Sequence, residues 1–178
     1  MGKDAYICLL AIAGRWTVLT RIPFTGKQYQ VTLRLTESTQ VITKFDTGAA
    51  VSIVSLGLLT TDKNRVGDLV QRARVHGVEL VYFESASGHL IRGYYACAEN
   101  VALGNLRVPR FYFYLVPDIS LRKCLLGNDF SKYCDYSHVS EGDILLKDFD
   151  YRRYVAACEG KLALNLGSVV TKESHIFG

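Results

Sequence analysis

The sequence predicts an all-β protein, a closed barrel or sandwich carrying one or two short helices. Three observations predict it. Apolar residues make up 49% of the 178-residue chain, enough for one domain with its own core. They fall in short runs, several alternating with polar residues and most ending at Gly, Asn, Asp or Pro. Sustained helical spacing is confined to residues 63–77.

The elements follow in order. AYICLLAIAG (5–14) and TVLTRI flank Gly14-Arg15-Trp16, which reads as a hairpin turn. The first run has the outline of a weak signal peptide ending in Ala-x-Ala. Its charged region is a lone Lys3 beside Asp4, however, and it runs straight into the next strand. It is too short to span a bilayer, and Tyr6 stands where N-myristoylation needs Ser or Thr. QYQVTLRL (28–35) alternates as a half-buried strand should, residues 36–39 form a turn, and QVITKF (40–45) leads into Asp46.

Over residues 63–77, Val66, Leu69, Val70 and Ala73 share a helical face and Gly77 supplies the stop. VELVYFE (78–84), the turn SASGH (85–89) and LIRGYYACAENVAL (90–103) resume the β pattern. Gly104-Asn105 is a turn, RVPRFYFYLV (107–116) a strand, and Pro117-Asp118 its stop. KCLLG (123–127) is a short apolar run. NDFSKYC (128–134) suits one or two helical turns, with Asp129 near the start. DYSHV and DILLKDF form a last hairpin around Glu141-Gly142. YRRYVAAC suits a strand or a helix equally, and GSVVTKESHIFG reads as a loose tail.

Charge and composition exclude several functions. The net charge of +4 is scattered, and the densest basic patch, Arg65 to Arg74, includes Asp68. Without a basic stripe interleaved with aromatics, no nucleic-acid partner is expected. The five cysteines lack zinc-knuckle spacing and are odd in number, which favours buried free thiols and a reducing, cytoplasmic compartment. His76, His89, His138 and His175 are isolated, so no metal and no cofactor is expected, nor any membrane association.

One stretch carries chemistry. FDTGAAVSIVS (45–55) places a carboxylate inside a strongly β-forming neighbourhood, where an isolated buried charge is costly. Asp46 therefore needs a turn that supplies donors. Thr47-Gly48 allows backbone N–H groups to approach the carboxylate, and the small Ala49 and Ala50 leave room beside it. A plain strand-ending turn would use the same residues.

The surroundings of this tripeptide narrow the choice. FDTGAAVSIVS, SASGHLIRG and CLLGNDFSKYCDY together resemble, in order, the active-site signature, flap hairpin and closing motif of the retropepsin-like aspartic proteases. The resemblance covers residues 28 to about 148. It implies a closed barrel with a flap, flanked by an N-terminal extension (1–27) and a C-terminal extension or tail (149–178). It also implies an aspartic endopeptidase active as a homodimer, cutting extended, mostly apolar polypeptide segments. With one Asp-Thr-Gly per chain, two copies of Asp46 would meet at the twofold axis and share one proton. Like charges held that close cannot both ionise comfortably, so the two acids would titrate as one coupled pair.

By the same resemblance, Thr47 hydrogen-bonds across the axis, and Gly48 and Ala49 complete the loop. Ser85, Ala86, Ser87, Gly88, His89 and Leu90 belong to the flap and bind substrate. Leu125, Leu126 and Gly127 thread behind the loop and brace it, with ordinary core as their other reading. Val51, Ile53 and Val54 read as core. The acid–arginine brace of retroviral members is missing, since Ala50, Val51 and Asn128 occupy its neighbourhood. Lys44, two residues before the acid, is expected to point to solvent. The reading from another class is a catalytically inactive dimerisation or peptide-binding module.

Overall fold

The computed structural model describes residues 9–10, 15–17, 20–60, 62–65, 67, 80–84, 90–139, 142–167 and 172–173. Along the chain these form β1 (Leu9–Leu10), β2 (Arg15–Thr17), β3 (Thr20–Ile22), β4 (Gln30–Thr36), β5 (Thr39–Phe45), β6 (Ile53–Ser55) and β7 (Leu80–Glu84). There follow β8 (Leu90–Leu103), β9 (Leu106–Val116), β10 (Cys124–Leu126), α1 (Asn128–Ser131), β11 (Asp135–His138), β12 (Ile144–Lys147) and β13 (Phe149–Asp150). Last come α2 (Tyr151–Gly167) and β14 (Lys172–Glu173). Most of the helix expected over 63–77 lies outside the described residues; Lys63–Arg65 forms a 3-10 turn.

Six strands close a barrel in the order β8-β4-β5-β10-β6-β9, and β9 pairs back onto β8. The all-β expectation holds, and its cause is visible in the pattern. In β4, Val31, Leu33 and Leu35 point inward while Thr32, Arg34 and Thr36 face solvent. β8 turns into β9 at Gly104-Asn105, where Gly104 takes φ +58°, a conformation that suits glycine. β9 departs from alternation: Phe111 through Val116 are all buried, so both of its faces are covered.

Part of that cover is α2, which resolves the ambiguous YRRYVAAC as a helix. Tyr151, Tyr154, Val155 and Cys158 recur at helical spacing and pack on the core. Asp150 caps the start, accepting the Arg153 N–H at 3.3 Å. Tyr154 is the anchor: its ring lies 5.3 Å from Phe130 and 5.4 Å from Phe149, and its hydroxyl accepts the Tyr112 N–H at 2.8 Å.

Two small sheets flank the barrel. One joins β1, β2 and β13; the other joins β11, β12 and β3. Trp16 pairs with both Leu10 and Phe149. Arg15 and Trp16, expected within the turn, are therefore strand residues, and residues 11–14 lie outside the described residues. The hairpin of DYSHV with DILLKDF forms as β11 and β12. β14 adds a short parallel strand to β7 within the segment expected to be a loose tail.

Candidate active site

Asp46 follows β5 directly. Its N–H donates to the Leu126 carbonyl at 2.9 Å, extending the parallel β5–β10 ladder one residue past Phe45. The chain then turns. The Ala49 N–H donates to the Asp46 carbonyl at 3.1 Å, and the Gly48 N–H donates to Asp46 Oδ1 at 3.0 Å. This is an Asx-type turn, in which the side chain copies a backbone acceptor. The Asp46 side chain keeps 15% of its exposure. Thr47 and Gly48 are exposed beside it, whereas Ala49 is fully buried, so Ala49 fills core instead of leaving space beside the acid.

A buried network holds the inner side of this loop. β10 runs between β5 and β6, which puts Leu125, Leu126 and Gly127 directly behind Asp46. The Asn128 N–H donates to the Ala49 carbonyl at 2.7 Å. A Cβ on Gly127 would sit 2.6 Å from the Val51 carbonyl carbon and 2.9 Å from the Ala49 oxygen, so only glycine lets the strands approach this closely. Val51, Ile53 and Val54 are buried as core.

Two residues outside the sequence-based site complete the network. Ser52, fully buried, donates through Oγ to Asp129 Oδ1 at 2.7 Å and through its N–H to Oδ2 at 3.0 Å. Ser52 Oγ also accepts the Gly127 N–H at 3.0 Å. Burial pushes the Asp129 carboxyl above the ordinary carboxylate range, and the Ser52 bonds oppose that rise. In a chain without the acid–arginine brace, Ser52 and Asp129 tie the closing motif to the loop. The available sequence signal was a serine within an otherwise apolar run, answered by an acid just past the closing glycine.

The expectation for Lys44 is overturned. Its ammonium lies 3.5 Å from Asp46 Oδ2, with the lysine side chain 41% exposed. The expectation rests on a bend of the strand at the turn that would carry Lys44 away from the acid. The ladder continues through Asp46 instead, so residues 44 and 46 keep the i, i+2 relation and share one face.

That face borders a cleft of about 300 Å³, lined by Asp46, Lys44, Gln30, Arg122, Lys123 and Leu125 among others. β7 and β8 form an antiparallel hairpin whose last pair is Glu84 and Leu90. Leu90 is 68% exposed. Ser85, Ala86, Ser87, Gly88 and His89, which would form the tip, lie outside the described residues. A second hollow of about 460 Å³ lies beside the tip-proximal start of β8, between Ile91, Arg92, Pro117 and Leu121. Among the described residues, no group of three or more His, Cys, Asp or Glu could hold a metal ion. No helix among them is long and apolar enough to cross a membrane.

Fold and loop together define a closed β-barrel that presents one carboxylate on a turn threaded by a returning strand. No protein-family model matches the chain, and no curated protein does. Among solved structures it is similar to the crystal structure of a retropepsin-like aspartic protease from Rickettsia conorii. The two share 12% identity with a TM-score of 0.47, over 72% of this chain and 98% of that one.

Proposed function

We propose that this chain is half of a homodimeric aspartic endopeptidase, with Asp46 of each copy forming the catalytic pair. One observation carries the reading. The acid is oriented by the Gly48 N–H on a braced loop whose exposed edge, Thr47 and Gly48, is the edge a second copy would meet. The motif resemblance of residues 45–55, 85–93 and 124–136 supports it.

In that dimer two like charges a few ångströms apart do not both ionise, so the pair holds one proton. The ionised Asp46 takes a proton from a water lying between the acids, and the resulting hydroxide attacks the peptide carbonyl. The protonated Asp46 donates to the carbonyl oxygen, and the leaving amine is protonated as the tetrahedral species collapses. Lys44 must let go of Asp46 for the pair to share its proton. Asp46 keeps 15% of its exposure, but the Lys44 side chain is 41% exposed and the contact is 3.5 Å. Solvent therefore screens the pair to on the order of 1 kcal/mol, and release is cheap.

Asp46→Asn tests the mechanism. Cleavage of a peptide pool should vanish while the urea midpoint and the sedimentation of the dimer stay unchanged. An Asp46→Asn protein that cuts at the wild-type rate would overturn it. The Lys44–Asp46 pair is the observation that favours the second reading, a peptide-binding or dimerisation module without turnover. A wild-type dimer that binds peptides but cuts none of them establishes that reading instead.

A further inference from the structure

The cleft beside Asp46 is unusual for a site expected to take apolar segments. Among the described residues its wall carries three cations, Lys44, Arg122 and Lys123, and one acid, Asp46. Gln28 and Gln30 add amide groups, Gln30 directly across the β4–β5 ladder from Lys44, leaving Ile42, Leu58 and Leu125 as the large apolar contributors. The Arg122 guanidinium is positioned by its bond to the Gly57 carbonyl at 2.7 Å, so at least one of these charges has a fixed place. Lys123 is held by its backbone: its N–H donates to Ser55 Oγ at 3.1 Å and its carbonyl accepts the Ser55 N–H at 2.9 Å. A volume of about 300 Å³ sits at the small end of ligand sites, the scale of one or two side chains and not of a large cofactor.

We infer that this cleft selects peptide segments bearing an aspartate or glutamate next to the bond that is cut. The entering carboxylate would meet Arg122 and Lys123 and replace Asp46 as the partner of the Lys44 ammonium. A neutral or apolar side chain desolvates the same cations without replacing their partners. The incoming acid therefore does two things: it brings a countercharge to a wall richer in cations than in acids, and it frees Asp46 to share a proton with its twin. The cleavage part rests on the peptidase reading above; the binding part rests on the cleft alone.

The test uses fluorescent peptides in matched pairs that differ only by Glu→Gln or Asp→Asn, together with the full-length chain. Binding is read by anisotropy on the wild type with peptides whose scissile bond is a non-hydrolysable isostere, and cleavage on the wild type with the ordinary peptides. The acidic member should bind about five- to ten-fold more tightly at low salt, the sum of two or three rim pairs, and the gap should close as salt rises. Lys123→Glu should erase the preference. Lys44→Met should raise kcat for the neutral peptides toward that for the acidic ones, because Asp46 no longer waits for its partner to be drawn off.

Wild-type cleavage with no bias toward acidic peptides overturns the inference and leaves the peptidase reading standing. Tight, salt-sensitive binding of acidic peptides without any cleavage supports the inference and removes that reading. Equal binding of both peptides overturns the inference whatever the cleavage result. So does displacement of the acidic peptide by heparin at equal charge concentration, which would make the wall a general polyanion surface.

Discussion

Ser52→Ala is the sharpest probe of how the candidate loop is held. The change removes one oxygen, so the loss of packing is small. It deletes the Oγ–H bond to Asp129 Oδ1 and the acceptor of the Gly127 N–H. Ser52 is fully buried and Gly127 is buried, which leaves little room for water to replace either bond. A buried polar group left without its partner costs about 1–3 kcal/mol. Two such groups give about 2–6 kcal/mol, a large share of the roughly 5–15 kcal/mol that a domain possesses. Urea unfolding at constant slope reads the change directly. Pairing it with Asp129→Ala in a double-mutant cycle should give a coupling of at least about 1 kcal/mol. A loss below about 0.5 kcal/mol, or strict additivity of the two variants, would refute the claim that Ser52 is the hub.

Three further outcomes follow from the same geometry. Asp129 is raised by burial, so the folded chain keeps this proton to higher pH than the unfolded one. The stability it contributes is complete below the ordinary carboxylate value and is lost as pH rises through its folded value. Asp129→Asn cannot ionise, so urea midpoints of wild type relative to this variant should fall as pH rises above the ordinary carboxylate value of about 4; a constant difference contradicts the assignment. Gly127→Ala forces a methyl against the Val51 and Ala49 backbone, and it should cost at least about 1–3 kcal/mol in urea unfolding and abolish any cleavage. Tyr154→Phe keeps the ring cluster but strips the Tyr112 N–H of its acceptor, a loss of about 1–3 kcal/mol in the same assay.

Much of the barrel was legible because it depends on local signals. Alternation in 30–36 and the glycine at 104 each state their conformation within a few residues. The helix α2 was not legible, although Tyr151, Tyr154, Val155 and Cys158 carry its period. Tyr, Val and Cys suit strands as readily, and the decision comes from the Asp150 cap and from burial of Tyr154 against residues distant in sequence. Ser52 and Asp129 were hidden for a related reason: they stand 77 positions apart, and neither belongs to a motif alone. Lys44 could have been placed correctly, since strand alternation puts it with Asp46. The Asp46 N–H bond to Leu126 keeps the ladder running through the acid, so the bend at the turn does not separate the two side chains.

The loop has two sides with different physical character. On its inner side, Leu126, Ala49, Gly127, Ser52 and Asp129 exchange hydrogen bonds within one chain. The Asp46 turn is thus shaped before any partner arrives. On its outer side, Thr47 and Gly48 face solvent, and the carboxylate takes one backbone donor together with the Lys44 ammonium. A site built this way separates stability from assembly. Folding fixes the position of the acid, while the exposed pair with Lys44 keeps its charge compensated at little energetic cost. A second carboxylate or an acidic substrate can then compete for that lysine without disturbing the brace behind it. In the proposed homodimer this ordering, a rigid buried half beneath an exchangeable ionic contact, would let each chain fold by itself and leave the chemistry to the pair.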